Sequence, residues 1–253
     1  MREQIQNVAK DTYTASKDVA DNFALIGSAL PMLLKDAEGL EKVSRSSITL
    51  SKAAKMDLKD ATESLTVSMA QFNLGAESAA YATDVLSNAA KNGTAPIKSV
   101  AETLRNCGTQ ARQAGLSLHE AAAAAEVLAE NGQMGAEAGT QLKTMFTKMQ
   151  TSGIDELNPK VVGLSQSLKN LSKYSDNVAF MNKTFGESAQ TVVSILAENT
   201  ARYDQLVASM GDYGTAAEMA RENSNNLAGD INKLTVTWTN FLSSFNMDKG
   251  WGD

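Results

Sequence analysis

The chain has 253 residues, enough for one large or two small domains around a sizeable core. Twenty-three basic residues against 29 acidic ones leave a formal charge of -6, and no block of lysine and arginine stands out, which argues against a surface built for nucleic-acid phosphates. Three prolines, abundant alanine and 6% aromatic residues predict an all-α chain rather than a sandwich or barrel.

Met1 is followed by "REQIQNVAKDTYTASKD", which lacks the apolar segment of a signal peptide. Ile5, Val8, Thr12, Ala15, Val19, Asn22, Ile26 and Ala29 recur at alternating steps of three and four, the pattern of one face along a helix. Half of that seam is polar or small, so a coiled coil built on it is weak or needs partners. "FALIGSALPMLL", Phe23 to Leu34, is the longest apolar run; it is too short to span a membrane and is interrupted by Gly27 and Pro31. Pro31 removes an amide and clashes with the preceding turn, so it ends or kinks the helix.

Leu40, Val43, Ser47, Leu50 and Ala54 form the next stripe, and Asp57 is placed to cap a helix whose face is Leu58, Ala61, Leu65 and Phe72. Asp57, Asp60 and Glu63 gather at that start, where the helix dipole favours acids; without a cleft or aromatic platforms they do not read as a glycosidase pair. Asn92-Gly93 suits a helix end, Thr94 a cap and Pro96 a first turn. The helix that follows buries Ile97, Val100, Leu104, Cys107 and Ala111. Ser117 and Glu120 then form a capping-box pattern.

Residues 72–93 align with 114–132 at an offset of 42, with Leu74 on Leu116, Ala79 on Ala121 and Val85-Leu86 on Val127-Leu128. A fainter copy, "ESAQTVVSIL" from Glu187, matches "ESAAYATDVL" from Glu77 and carries its own box pattern, Thr184 to Glu187. Similar helix pairs recur, but too weakly for a solenoid. At the end of the chain Ala217, Ala220, Ser224, Leu227, Ile231, Leu234, Trp238, Phe241 and Phe245 again alternate three and four steps. Leu227, Ile231, Leu234, Trp238, Phe241 and Phe245 are the candidate interface, and the uncapped "NMDKGWGD" reads as a cut through something longer.

Between two helical stretches lies "ENGQMGAEAGTQLKTM", Glu130 to Met145. A phosphate loop needs a lysine directly after its last glycine and a strand in front; here Gly139-Thr140 precedes Gln141, the nearest lysine is Lys143, and a helix precedes. The residues read instead as a helix end at Asn131-Gly132, a turn at Gly135, and a close-packed restart through Ala138 and Gly139. His119 is the only histidine and Cys107 the only cysteine, which excludes an intrachain disulfide, a His-pair metal site and a multi-cysteine cage and fits intracellular assembly. His119 shares a polar stripe with Glu126 and Glu130, and Cys107 lies on an apolar one, so a Cys107/His119 nucleophile pair lacks a surrounding signature. Asn92, Asn170 and Asn182 open N-x-Ser/Thr triplets, which without an export signal read as chance. No catalytic residue, metal site or cofactor is expected.

"AGLSLHEAAAAAEVLAENGQMGAEAGTQLKTMFTKM", Ala114 to Met149, resembles the core region of phage tail tape-measure proteins, the phage-related minor tail family. The family's order of helix start, helix end and restart stands here as Gly115 to Ala121, with Ser117 and Glu120; Leu128 to Gly132; and Gly135 to Leu142, with Gly139 and Thr140. His119 replaces the usual acid, which the capping box tolerates because Glu120 keeps its place. The likeness extends over roughly residues 35 to 245, through "KTFGESAQTVVSILAEN" and "NNLAGDINKLTVTWTNFL".

The resemblance implies a non-enzymatic virion protein of the tail lumen, held in the host cytoplasm during assembly, that templates the tail tube, sets its length and takes part in genome ejection. It implies as partners further copies of itself, the tail tube protein and a tail assembly chaperone, with transient membrane contact through regions this stretch lacks, and no specific nucleic-acid binding. A fully helical chain of this length would reach roughly 380 Å, but the Gly and Pro breaks predict a folded portion. The expected organisation is an N-terminal amphipathic helix over 1–34, a helical core over 35–212 and a C-terminal heptad helix over 213–253, together a multi-helix bundle. The alternatives are a helical adaptor or secreted interaction protein, and an enzyme with Cys107 as nucleophile.

Overall fold

A computed structural model describes residues 1–174, 177–224 and 233–241, with only the backbone of Val178 and Ser188. The chain folds as α1 (Arg2–Thr12), α2 (Ser16–Ala29), α3 (Ala37–Ala54), α4 (Leu58–Phe72), α5 (Ala79–Asn92), α6 (Ile97–Gln113), α7 (Leu118–Glu130) and α8 (Gly135–Thr151). There follow α9 (Pro159–Val162), α10 (Leu164–Leu171), α11 (Val178–Phe185), α12 (Glu187–Glu198), α13 (Thr200–Met210), α14 (Thr215–Ser224) and α15 (residues 233–241). Short 3-10 turns fill some of the connections, and among the described residues there is no strand. The all-α multi-helix fold is therefore as the composition predicts. The contacts divide into two compact units: one of Met1–Thr66, Gly75–Thr83 and the described part of Ala216–Asp253, the other of Val67–Leu74 and Asp84–Thr215.

In the first unit α1, α2 and α3 pack on one another. Val19, Phe23 and Ile26 of α2 are buried, as are Leu40, Val43 and Leu50 of α3. Asn22, on the seam of α2, is buried among them; its amide donates to Ser47 Oγ at 3.2 Å and Thr62 Oγ1 at 2.6 Å. Those hydroxyls in turn donate to Val43 and Leu58 carbonyls in their own helices, so one amide ties α2, α3 and α4 together. α2 stops at Ala29, and Pro31 opens a 3-10 turn, the early position where a missing amide costs least. Asp36 then caps α3 by accepting from Gly39 N at 2.8 Å.

The N-terminal heptad pattern does not make one helix. It is cut after Thr12, where Tyr13 adopts a left-handed conformation (φ 51°, ψ 44°) and α2 restarts at Ser16. The stretch holds neither glycine nor proline, but the end is closed locally: the Tyr13 and Thr14 amides both donate to the Ala9 carbonyl, and Thr12 Oγ1 donates to Val8 O.

In the second unit α8 crosses α6, and α7 packs against α6, α12 and α13. Every residue from Ala121 to Ala129 is buried, so α7 is enclosed on all sides by virtue of its small side chains. Leu104, Cys107 and Ala111 of α6 meet a core that includes Leu142, Met145, Phe146 and Met149 of α8. At the crossing Gly139 has no room for a side chain: a Cβ would lie 2.5 Å from the Thr103 carbonyl oxygen and 3.0 Å from its Cα. On another side of α6, a Cβ at Gly108 would lie 2.7 Å from Gln71 Cβ and 3.0 Å from the Phe72 ring.

Because the atoms opposing Gly139 are backbone, the helices must separate to admit a methyl group. Gly139→Ala is expected to destabilise the fold by about 1–3 kcal/mol, seen as a fall in thermal midpoint of several degrees. Gly153→Ala, where a Cβ would meet open space at φ +72°, should cost only the left-handed penalty of about 1–2 kcal/mol; the crossing is not tight if Gly139→Ala is neutral.

Candidate functional site

The motif-bearing segment from Gly115 to Thr140 forms two helix junctions. Gly115 (φ +87°) closes the end of α6, and Leu116 N donates to Ala111 O at 3.0 Å. Ser117 caps α7: Glu120 N donates to Ser117 Oγ at 3.4 Å while the Glu120 carboxylate accepts from Ser117 N at 2.8 Å and Ser117 Oγ at 2.6 Å, a reciprocal capping box. α7 ends at Glu130, with Gly132 (φ +79°) supplying the left-handed residue; Gln133 N donates to Leu128 O at 2.9 Å and Gly132 N to Ala129 O at 3.0 Å, the paired bonds of a Schellman turn. Gly135 (φ +69°) opens α8, Gly139 makes the close crossing, and Thr140 is exposed with its hydroxyl donating to Ala136 O.

The α8 start is held to α6 by Thr103 Oγ1 donating to Gly135 O at 3.0 Å and Asn106 Nδ2 to Ala136 O at 2.8 Å. A Cβ at Gly135 would stand 3.3 Å from the Glu102 carboxylate. An acid already beside this helix start opposes a bound phosphate, so the segment acts as a packing junction.

Glu126 departs from the sequence reading. It does not lie on a solvated stripe with His119 and Glu130 but is fully buried. Its Oε2 accepts from Thr94 N at 2.9 Å and Ala95 N at 3.1 Å, so the loop after α5 is held by a carboxylate from α7. The expected caps are displaced: Pro96 is the residue before α6 and no side chain caps that helix. Gly93 belongs to the same arrangement, since a Cβ there would fall 2.0 Å from Glu126 Oε2. Burial raises the Glu126 pKa, the two amides lower it, Glu130 raises it and Arg202 lowers it, for a net upward shift. Arg202 of α13 grips Glu130 through Nε and Nη2 at 2.6 to 3.1 Å and donates to Asn92 O at 2.9 Å, fastening the end of α5 from the other side.

The repeat at offset 42 places Asp84 on Glu126, and the structure gives them one job. Asp84 is also buried, and its Oδ2 accepts from Gly214 N at 2.9 Å. Each repeated helix thus carries an acid just before its Val-Leu pair that receives the amide of a distant turn. The third copy has Ser194 at that position, and its predicted box is not formed: α11 runs on through Phe185, so Thr184 is still helical and Gly186 (φ 73°) precedes α12 with no side-chain cap.

Cys107 is buried, and loss of hydration pushes its thiol pKa up to about 12. Such a thiol supplies almost no thiolate at neutral pH. His119 Nε2 lies 3.4 Å from Ser117 Oγ in the capping turn. Among the described residues no three His, Cys, Asp or Glu side chains gather to hold a metal, and no helix is long and apolar enough to cross a membrane.

Of the candidate interface, Leu227, Ile231 and Phe245 lie outside the described residues. Leu234, Trp238 and Phe241 on α15 are 73%, 62% and 50% exposed, and the Trp238 and Phe241 rings stack with centroids 5.7 Å apart. Asn240 faces the α1–α2 break: its Oδ1 accepts from Ser16 N and Ser16 Oγ at 3.0 Å, and its Nδ2 donates to Thr14 O at 3.1 Å.

Among the described residues the chain is an all-helical scaffold with glycine-mediated crossings and an exposed aromatic face. The family model described as phage-related minor tail protein matches residues 2–198, and the chain belongs to that family of structural phage tail proteins. It is similar to the "Tape measure protein" of Pneumococcus phage Dp-1, 24% identical over 92% of this chain and 22% of that protein. It is likewise similar to the "Probable tape measure protein" of Escherichia phage P2, 22% identical over 91% of this chain and 31% of that protein. The chain thus spans less than a third of either relative. No solved structure matches.

Two outcomes follow from the buried groups. A carboxyl whose folded pKa lies above its unfolded value, about 4.3, binds its proton more tightly when folded; its ionisation therefore costs stability above the folded pKa, and that cost fades as pH falls toward the unfolded one. Urea titrations across pH should show the stability difference between wild type and Glu126→Gln moving in favour of wild type on acidification, and a pH-independent difference would contradict the assignment. Cys107 should resist a thiol reagent in the native chain at neutral pH and react on denaturation; rapid native labelling would mean that α6 is not packed as described.

Proposed function

We propose that this chain is a folded helical segment of a tape-measure protein, which acts in the tail lumen as an internal scaffold for tube assembly, sets tail length and takes part in genome ejection, after a cytoplasmic assembly stage. The observation that carries the reading is the likeness to two tape-measure proteins along almost the whole chain. The architecture supports a structural role: Cys107 is packed in the core, Glu120 closes a capping box, and Glu126 and Asp84 hold backbone amides of distant turns. Phage carrying an in-frame deletion within this segment should give tails of altered length under the electron microscope. Tails of unchanged, uniform length would remove the ruler reading.

In the same proposal the α15 face bearing Leu234, Trp238 and Phe241 docks a second copy of the chain. From Leu234 to Phe241 the helix holds no charged residue, so like faces meet without repulsion, and two stacked rings offer the large apolar anchors on which interfaces depend. A solvent-exposed patch of this kind on an assembly protein is the expected mark of a contact surface. Sedimentation over a concentration series should show reversible self-association, weakened about tenfold or more by Trp238→Ala with Phe241→Ala. Association only on adding the tail tube protein or tail chaperone of the same genome would reassign the face to that partner, and a monomer under all three conditions would remove it as a docking surface.

A further inference from the structure

In the first unit a pocket of about 420 Å³ opens between α2 and the first turns of α4. Its lining is graded from the surface inward. Asp18, Asp21 and Lys59 are exposed at the rim, Leu25 and Leu58 are half-buried along the walls, and Asn22 and Thr62 are buried at the floor. Asp18, Asp21, Asn22 and Leu25 stand at steps of three, four and seven along α2, so two acids, an amide and an apolar side chain share one helix face.

The floor has a definite hydrogen-bond polarity. Thr62 Oγ1 donates to Leu58 O at 2.6 Å, and Ser47 Oγ donates to the Val43 and Ser44 carbonyls at 3.0 Å. A hydroxyl carries one proton, so each of them meets Asn22 only as an acceptor, and the Asn22 amide nitrogen supplies a hydrogen to both. That requirement fixes the orientation of the amide: its two hydrogens are spent, and its Oδ1 is left without a donor although Asn22 is only 3% exposed. A buried acceptor in that condition is costly, while the side chains of Asn22 and Thr62 have no proton left to offer a guest. A molecule seated against this floor brings the donor itself.

The rim selects the sign of that molecule. Asp18 and Asp21 attract a cation and oppose a carboxylate or a phosphate. Lys17 bonds Asp21 at 2.6 Å and Lys59 meets Glu63 at 3.9 Å, and exposed pairs of this kind exchange partners at little cost. A bare metal ion suits the lining poorly, because hard cations take six or more oxygen ligands and Leu25 and Leu58 supply none. Apolar walls suit a carbon stem.

We propose that this pocket binds an organic cation, an ammonium or guanidinium group on an aliphatic stem. One N–H of the head donates to Asn22 Oδ1, its charge faces Asp18 and Asp21, and the stem lies along Leu25 and Leu58. The site is independent of the tail-length reading, since its residues would serve it in any helical scaffold.

The test takes the full chain with n-butylamine as the probe, and with butyrate and n-butanol as its anionic and neutral counterparts, followed by the NMR signals of the Asn22 side-chain amide and the Leu25 and Leu58 methyl groups. Butylamine should shift these signals saturably, bind about tenfold or more tighter than butyrate, and weaken as salt is added. Asp18→Asn with Asp21→Asn, exposed replacements that leave the floor intact, should weaken butylamine about tenfold and leave n-butanol unchanged. Nα-acetyl-lysine methylamide distinguishes the sources of such a group, because its backbone has to stay outside the pocket. Saturable shifts of the same signals by this derivative assign the site to a basic side chain of another chain, and binding of butylamine with exclusion of the derivative assigns it to a free amine. The proposal is overturned by the absence of a saturable shift, by equal affinity for butyrate, or by a long-lived water at Asn22 that butylamine does not displace.

Discussion

Where α8 crosses α6, the Cα of Gly139 lies against the backbone of Thr103 with no space for a methyl group, and much of the second unit follows from that approach. Thr103 and Asn106 reach the first carbonyls of α8 only because the helices are so close. Phe146 and Met149 of α8 are fully buried. Alanine does for α7 what glycine does at the crossing, allowing one helix to be surrounded by its neighbours. Close-packed interiors forbid voids, so small side chains and short interhelical distances imply each other.

A core lined with alanine has few side chains long enough to fasten the loops around it. The buried acids meet that need. Glu126 and Asp84 occupy equivalent places in the two clearer repeats and each reaches a backbone amide far along the chain. A charged acceptor makes a stronger hydrogen bond than a neutral one, and burial raises the cost of leaving either partner unmade. Arg202 closes the same corner from α13 by joining Glu130 to the end of α5. Glu126, Asp84 and Arg202 therefore hold loops and helix ends of this unit.

The helical class, the capping box at Ser117 and Glu120, and the helix end at Asn131-Gly132 were legible because each depends on residues within a turn of one another. Gly139 was legible as a site of close packing because only a small residue explains a glycine inside a helix. Three features were not. The break at Tyr13 is closed by its own backbone, through the Thr14 amide on the Ala9 carbonyl, and is met by Asn240 from more than two hundred residues away, yet no glycine marks it in the sequence. Glu126 reads as part of a polar stripe because its charge outweighs its context, yet the run of alanines around it is the available signal: a helix that is small on every face is buried on every face. Thr184 matched a capping box in spelling alone, since Gly186 ends the previous helix two residues later. The exposed aromatics of α15 carry a heptad pattern, and spacing by itself does not distinguish a core from a surface.

The enclosure of α7 has a mechanical consequence. Alanine has no rotamers to adjust, so its contacts cannot stretch to follow a neighbour that moves. Dispersion falls away steeply, and a gap of about 1 Å forfeits up to half of each contact. A bundle cohering in this way is stiff for small displacements and fails abruptly beyond them, losing the grip of the whole helix together rather than one side chain at a time. Pulled along its length, such a unit would yield at a threshold force instead of creeping, which is how a brittle solid behaves.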